Sequence, residues 1–279
     1  MTSSTTTIPT VTLNDGTTMP QLGYGVFQVP DDQTTEAVAT ALETGYRSID
    51  TAAIYGNESG VGRALAESGI QRDELFVTTK LWLADLGRAS ARDALSASLE
   101  RLGLDHVDLY LIHWPGTDTN AYLESWQAME ELRAEGLTRS IGVSNFLPGQ
   151  LERIFELGGT VPAVNQVELH PFLQNRETAA MNRAHGIATE AWSPLAQGAV
   201  LDDPSVLAAA RVHGVTPAQV VLRWHLQQGN VVIPKSVTAS RMASNLDVFG
   251  FHLDAGQVAA LDGLERDGRT GPFPGTFNG

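Results

Sequence analysis

Cysteine is absent from the 279-residue chain. Its absence excludes a disulfide framework, a thiolate nucleophile and any zinc site built on cysteine, and it favours the reducing cytoplasm. No apolar run approaches the roughly 18 residues that a membrane span requires. The N-terminus also lacks the basic and apolar regions of a signal peptide. We therefore expect a cytoplasmic protein that does not enter a membrane.

Positive charge is also scarce. The chain has 18 lysine and arginine residues against 32 aspartate and glutamate residues, which gives a net charge of −14, and only Lys80 and Lys235 are lysines. So acidic a surface repels nucleic acid and anionic membranes, and neither is expected as a partner. The seven histidines include no His-x-His or His-x-x-x-His pair, so we expect no metal site.

The sequence does contain a regular alternation of strand-like and helix-like segments. An Asn-Asp-Gly turn at 14–16 predicts a short N-terminal β-hairpin. Helical periodicity is clear over 34–44, 91–102, 121–135 and 217–228. Eight candidate strands cover residues 21–27, 46–50, 75–80, 107–113, 139–144, 163–168, 187–192 and 231–234. This alternation predicts an α/β fold, a (β/α)8 TIM barrel.

The main alternative fold is an open, doubly wound sheet. That fold usually carries a G-x-G-x-x-G fingerprint after its first strand, and the first candidate strand here is followed by none. The barrel is therefore the preferred fold. We expect a single domain over residues 1–279, with a flexible N-terminus at 1–9 and an irregular C-terminal tail at 266–279.

Four polar residues fall at or just beyond the carboxyl ends of candidate strands, where barrel enzymes carry their chemistry: Asp50, Tyr55, Lys80 and His113. Taken singly, each has a structural explanation, such as a cap for Asp50 or core packing for His113. Taken together, they form a proton donor. The Lys80 ammonium lowers the pKa of the Tyr55 phenol, and Asp50 pairs with Lys80. His113 can orient a carbonyl oxygen. The group lacks an electron source, so it requires a hydride cofactor.

Five segments follow one another along the chain as recognisable motifs. They are Gly-Tyr-Arg-Ser-Ile-Asp-Thr-Ala-Ala-Ile-Tyr-Gly-Asn-Glu (45–58), Thr-Thr-Lys-Leu-Trp (78–82), Asp-Leu-Tyr-Leu-Ile-His-Trp-Pro (108–115), Ser-Ile-Gly-Val-Ser-Asn-Phe (140–146) and Ile-Pro-Lys-Ser-Val (233–237). In this order they resemble the signature motifs of the aldo-keto reductases. The resemblance extends over residues 10 to 265 and is strongest to bacterial 2,5-diketo-D-gluconic acid reductases. It implies an NADPH-dependent barrel that reduces aldehydes and ketones to alcohols, with Asp50, Tyr55, Lys80 and His113 as the catalytic tetrad and Tyr55 as general acid.

The same resemblance implies where NADPH and a carbonyl substrate would bind. Trp192 would stack on the nicotinamide ring, and the C-terminal tail with Phe273 and Phe277 would close over the pocket. Residues implied at the nicotinamide carboxamide are Ser144, Asn145 and Gln166, and those along the pyrophosphate are Ser193 and Leu195. Residues implied at the adenosine end are Lys235, Ser236, Val237, Arg241 and Asn245. Residues implied in an apolar substrate wall are Phe27, Trp82 and Trp114.

Other functions remain open at this level. A barrel of this fold could serve as a nucleotide-binding regulatory subunit, and Lys80 could form a Schiff base in an aldolase. A metal-dependent hydrolase is disfavoured by the histidine spacing. The loops at 175–183 and 266–279 match no named substrate, so the resemblance indicates kinship and not a particular specificity. It also implies a monomer.

Overall fold

The computed structural model describes residues 8–279, so most of the predicted flexible N-terminus lies outside the described residues. A two-stranded antiparallel hairpin comes first, formed by β1 (Thr10–Thr12) and β2 (Thr18–Pro20), with Val11 opposite Met19. In its turn Gly16 has a φ of 88°, a left-handed conformation that glycine adopts without a steric penalty. The predicted hairpin is confirmed.

Eight parallel strands follow, and each pairs with the next along the chain. A bridge between Leu22 and Val232 joins the first of these strands to the last and closes the sheet on itself. The predicted (β/α)8 barrel is therefore confirmed. The strands are β3 (Tyr24–Gly25), β4 (Ser48–Asp50), β5 (Phe76–Leu81), β6 (Val107–Ile112), β7 (Thr138–Ser144), β8 (Val164–Glu168), β9 (Ala188–Trp192) and β10 (Val231–Val232).

The first and last barrel strands are shorter than the sequence predicts. The backbone N–H of Val29 donates to the carbonyl of Val26 over 3.0 Å, and Gln28 takes a φ of 60°. A tight turn therefore bends the chain out of the sheet after Gly25, before the predicted strand end at residue 27. The predicted strand 231–234 likewise keeps ladder pairing only over its first two residues.

Ten α-helices, counted over residues 8–279, lie in the connections and after the last strand. The four predicted helical segments correspond to α1, α3, α4 and α8, with ends that differ by three residues at most. Within the described residues, every helix is too short or too polar to cross a bilayer. The helices are α1 (Asp31–Thr44), α2 (Glu58–Glu67), α3 (Arg88–Leu102), α4 (Thr119–Ala134), α5 (Pro148–Phe155), α6 (Arg176–Ala184), α7 (Pro204–His213), α8 (Pro217–Gln227), α9 (Ala239–Leu246) and α10 (Ala255–Asp262).

Two apolar cores hold this arrangement together. The larger core lies between the barrel strands and the helices around them. The smaller core joins Leu13 and Met19 of the hairpin to Leu109, Val164 and Val231, which lie in the amino halves of their strands. The hairpin thus covers the amino end of the barrel. The carboxyl ends of the strands form the opposite opening, called the mouth below.

Candidate active site

The structure brings the four predicted catalytic residues together at the mouth. Asp50 is the last residue of β4, Lys80 lies near the end of β5, and His113 directly follows β6. Tyr55 ends a short 3-10 turn that follows β4. Because neighbouring parallel strands end at the same edge, side chains that are 63 positions apart in sequence become neighbours.

The ammonium of Lys80 is fully buried and uses three hydrogen bonds within this group. Its Nζ donates to Asp50 Oδ1 over 2.6 Å, to the Thr51 carbonyl over 2.9 Å and to the Tyr55 hydroxyl over 3.5 Å. Burial lowers the pKa of Lys80, but the charge and hydrogen bond of Asp50 outweigh it, so the pKa is raised overall. Lys80 therefore stays charged.

Tyr55 has a pKa above its ordinary value. Burial raises the pKa of this phenol most strongly, whereas the Lys80 charge and hydrogen bond lower it. The sequence correctly predicts that the Lys80 charge lowers the Tyr55 pKa. The expectation that this pKa is lowered overall is wrong, because burial raises it by more. At neutral pH the phenol therefore carries its proton and can donate it.

His113 faces the phenol from the neighbouring strand end. The centroids of its ring and the Tyr55 ring are 5.6 Å apart, in an edge-on arrangement. Burial and, second, the Lys80 charge hold the pKa of His113 well below its ordinary value. The imidazole is therefore neutral, a form that donates a hydrogen bond from one ring nitrogen only.

The residues implied at the nicotinamide carboxamide form one hydrogen-bonded group beside the tetrad. Asn145 Nδ2 donates to the His113 carbonyl over 3.0 Å and to Ser144 Oγ over 3.1 Å, and Ser144 Oγ donates to the Gln166 carbonyl. Trp192 Nε1 donates to Asn145 Oδ1 over 2.9 Å. The structure therefore brings all four of these predicted residues together.

Gln166 connects this group to a carboxyl group that the sequence reasoning missed. Its Nε2 donates over 2.8 Å both to Asp50 Oδ2 and to Oε2 of Glu190. Glu190 is fully buried in β9, where burial and the nearby Asp50 charge raise its pKa to about 8. The one available signal was a lone acid within the strand Ala-Thr-Glu-Ala-Trp.

The loop after β9 carries the residues implied along the pyrophosphate. Ser193 has a φ of 46°, and Ala196 and Gln197 have φ values of 49° and 53°. Left-handed backbone at non-glycine residues is strained and clusters at functional sites. Leu195 lies within this loop, packed at the edge of the larger core.

Of the residues implied at the adenosine end, Lys235, Ser236 and Val237 lie in the loop between β10 and α9, whereas Arg241 and Asn245 lie in α9. Lys235 and Arg241 are exposed, as is Val237, whereas Ser236 and Asn245 are buried. Within residues 8–279, neither Lys235 nor Arg241 has a carboxylate partner within ion-pair distance. Two cations are thus available to an anion near the amino end of a helix.

Aromatic side chains line the mouth around the tetrad. The Phe27 ring lies 5.0 Å from the Tyr55 ring, and the Trp82 ring lies 5.2 Å from that of His113. Phe277 reaches in from the tail and contacts Trp114, with ring centroids 4.4 Å apart. Phe273, the other predicted tail aromatic, is 51% exposed and lies against Arg269.

The comparisons with known proteins agree with one another. The model of the aldo/keto reductase family matches residues 16–266. An aldo-keto reductase of Mycolicibacterium vanbaalenii is 56% identical over 99% of both chains. Methylglyoxal reductase DkgA of Escherichia coli strain K12 is 51% identical over 97% of this chain and 99% of its own. A solved Gox0644 mutant in complex with NADPH is 47% identical, with a TM-score of 0.93 over 97% of this chain and 99% of that chain.

The chain therefore belongs to the aldo/keto reductase family, a family of oxidoreductases. The resemblance seen in the sequence is confirmed at the level of the family. The relatives of this chain also include DkgA.

Proposed function

We propose that this protein is an NADPH-dependent carbonyl reductase in which Tyr55 is the general acid. The observation that carries the proposal is the buried Lys80 ammonium, which lies 2.6 Å from Asp50 and 3.5 Å from the Tyr55 hydroxyl. Such an ammonium stabilises the phenolate that remains after Tyr55 has donated its proton. The relatives include a methylglyoxal reductase and a structure in complex with NADPH, which support the reaction and the cofactor.

The hydrogen-bonding groups at the mouth fit a nicotinamide carboxamide. Both N–H groups of Gln166 are taken by Asp50 and Glu190, which leaves its Oε1 as an acceptor, and Asn145 Oδ1 has a second lone pair. A carboxamide NH2 group needs two such acceptors. Trp192 would supply a stacking surface beside them, and Ser144 orients Asn145.

The remaining cofactor residues fit the anionic part of the same molecule. Lys235 and Arg241 would neutralise the adenosine 2′-phosphate, with Ser236 and Val237 between them in the chain and Asn245 near the adenine. Ser193 and Leu195 would lie along the pyrophosphate. In a chain of net charge −14, these local cations offset a general repulsion of anions.

When bound, NADPH supplies a hydride to the carbonyl carbon of the substrate. The neutral His113 donates a hydrogen bond to the carbonyl oxygen and orients it toward Tyr55. The Tyr55 O–H then transfers its proton to this oxygen as negative charge develops there. Lys80 stabilises the resulting phenolate, and Asp50 holds Lys80 in place. Phe27, Trp82 and Trp114 would form the apolar wall against which the substrate lies.

The domain organisation, oligomeric state, location and partners of the protein are also proposals. We infer that residues 1–279 work as one monomeric domain in the cytoplasm, on small aldehydes and ketones, without nucleic acid or membrane partners. The absence of cysteine supports the cytoplasmic location, and the net charge of −14 supports the lack of nucleic acid and membrane partners. The monomeric state rests on the family resemblance.

The structure weighs against the alternative functions. A Schiff-base aldolase needs a neutral lysine amine, but the Lys80 pKa is raised and its hydrogen bonds lie within the site. A regulatory subunit without chemistry would not need a buried charge pair beside a phenol, because such pairs are costly to bury.

The test is the substitution Tyr55→Phe, compared with Tyr110→Phe. The Tyr110 hydroxyl is buried and has no hydrogen-bond partner among the described residues, so its loss is a matched control. With NADPH and a panel of aldehydes and ketones, Tyr55→Phe should lower kcat by ~10²–10⁴-fold while NADPH binding persists. Wild-type turnover in Tyr55→Phe would disprove the role of Tyr55.

A further inference from the structure

Glu168 is a buried carboxylate outside the proposed catalytic group. It is the last residue of β8, and its side chain has no exposed surface. Burial raises the pKa of Glu168, but hydrogen bonds from His170, Thr270 and Gly271 outweigh burial, so the pKa lies below its ordinary value. A buried carboxylate is tolerated only where donors surround it, so the identity of these donors defines what Glu168 holds.

Most of these donors belong to the C-terminal segment, residues 269–279. Glu168 Oε1 accepts from the backbone N–H and from the hydroxyl of Thr270, both over 2.6 Å. Its Oε2 accepts from the Gly271 N–H over 3.1 Å and lies 3.6 Å from Nη1 of Arg269. The remaining contact of the carboxylate is with His170, two residues along the chain, whose Nε2 lies 3.1 Å from Oε1. Glu168 thus ties the start of the C-terminal segment to a strand end.

This attachment places the C-terminal segment in close contact with Trp192. A Cβ atom on Gly271 would lie 2.5 Å from Cη2 of Trp192 and 3.3 Å from Glu168 Oε2. Only glycine permits so close an approach. Because Trp192 Nε1 donates to Asn145, the indole is held by Asn145 through its nitrogen and by the C-terminal segment at its six-membered ring.

The far end of the C-terminal segment is attached to the mouth as well. Asn278 Oδ1 accepts from the backbone N–H and the hydroxyl of Thr117, over 3.3 and 3.2 Å. Just before it, Phe277 contacts Trp114 and faces Trp82, at ring distances of 4.4 and 6.4 Å. The C-terminal segment therefore runs from Glu168 across Trp192 to Trp82 and Trp114.

We propose that Glu168 is a positioning residue that anchors the C-terminal segment and so holds Trp192 and Phe277 at the mouth. The effect on NADPH rests on the proposed function, because there Trp192 is the nicotinamide platform. Glu168 itself touches no reacting atom and acts through Thr270 and Gly271.

Two substitutions separate this role from general stabilisation. Each carboxylate oxygen of Glu168 accepts from a backbone N–H, that of Thr270 or that of Gly271, so in Glu168→Gln the amide NH2 faces a backbone donor whichever way it turns. Thr270→Val removes one donor and keeps the shape of the side chain. The matched control is Glu130→Gln, since Glu130 also holds a loop through a backbone N–H, that of Thr160 over 2.6 Å, away from the mouth.

The readouts are amide hydrogen exchange, the Kd for NADPH from fluorescence titration, and kcat. In Glu168→Gln, exchange at Thr270 and Gly271 should rise at least about tenfold, and the Kd for NADPH roughly tenfold. The kcat at saturating NADPH should change less than about threefold. The substitution weakens NADPH binding equally in the ground state and the transition state, and it leaves the groups around Tyr55 unchanged. Adding Thr270→Val to Glu168→Gln should have little further effect, since both act on one attachment.

Each measurement can overturn a defined part of the proposal. Unchanged exchange in residues 269–279 of Glu168→Gln would refute the anchor. Faster exchange with an unchanged Kd would refute the positioning of Trp192, and an equal rise of the Kd in Glu130→Gln would show a general effect instead. A wild-type protein that reduces no carbonyl compound would refute the proposed function alone, because exchange still decides whether Glu168 anchors the segment.

Discussion

Lys80 Nζ lies 3.5 Å from the Tyr55 hydroxyl oxygen and 5.1 Å from the centroid of its ring. The ammonium therefore acts on the phenol both at its oxygen and over its π-face. Burial alone would hold the Tyr55 pKa higher still, so this cation makes the Tyr55 proton easier to transfer.

Loss of the cation should therefore affect both activity and stability. Lys80→Met should lower kcat by ~10²-fold or more, because no charge then stabilises the Tyr55 phenolate. It should also lower the free energy of unfolding by roughly 3–5 kcal/mol, because Asp50 is left buried and unpaired. Steady-state kinetics and denaturant unfolding measure the two effects. Adding Asp50→Asn should restore part of the stability but none of the activity, and a double variant less stable than Lys80→Met would contradict the pairing.

Glu190 should make the protein less stable as pH rises. The folded protein keeps a proton on Glu190 up to about pH 8, whereas the unfolded chain releases it near the ordinary pKa of 4.5. The stabilisation is therefore complete below pH 4.5 and is lost as pH rises toward 8. Glu190→Gln stays neutral, so its stability relative to wild type should improve by on the order of 1–3 kcal/mol between pH 5 and pH 8. Denaturant unfolding at both pH values tests this, with the exposed Glu177→Gln as control; a constant difference would refute it.

The rate of carbonyl reduction should be nearly independent of pH between about pH 5 and pH 7. Burial and the Lys80 charge keep His113 neutral, and burial keeps Tyr55 protonated, so neither group changes its charge there. The measurement is kcat at saturating NADPH across this range. A change of rate with a midpoint near 6.5 that disappears in His113→Gln would show that His113 titrates during turnover.

Arg241 should determine preference for NADPH over NADH. Arg241→Ala should raise the KM for NADPH roughly tenfold or more and leave that for NADH almost unchanged, because only NADPH carries the 2′-phosphate. Arg211→Ala, an exposed arginine on α7, is the control. Equal changes in both KM values would remove the 2′-phosphate role.

The positions of the tetrad could be predicted because each residue lies at or near a strand end, and strand ends converge in any barrel. Their spatial proximity therefore follows from topology alone. The net pKa of Tyr55 could not be predicted in the same way, because it depends on how deeply the mouth buries the phenol.

Contacts between distant parts of the chain were the features that sequence reasoning missed. Glu168 meets Thr270 across 102 residues, and no periodicity or motif signals a carboxylate that binds backbone N–H groups of an irregular tail. Glu190 was missed because its partner Gln166 lies on another strand, where only the register of β8 and β9 brings the two side chains together.

The hairpin at the amino end of the barrel has a consequence for proton supply. Leu13 and Met19 pack beneath the strands with Leu109, Val164 and Val231, which makes the floor of the barrel apolar. These five side chains carry no hydrogen-bonding group through which a proton could pass. In the proposed mechanism, the proton that Tyr55 donates is therefore expected to be replaced from bulk water through the mouth, on the same side by which substrate and product pass.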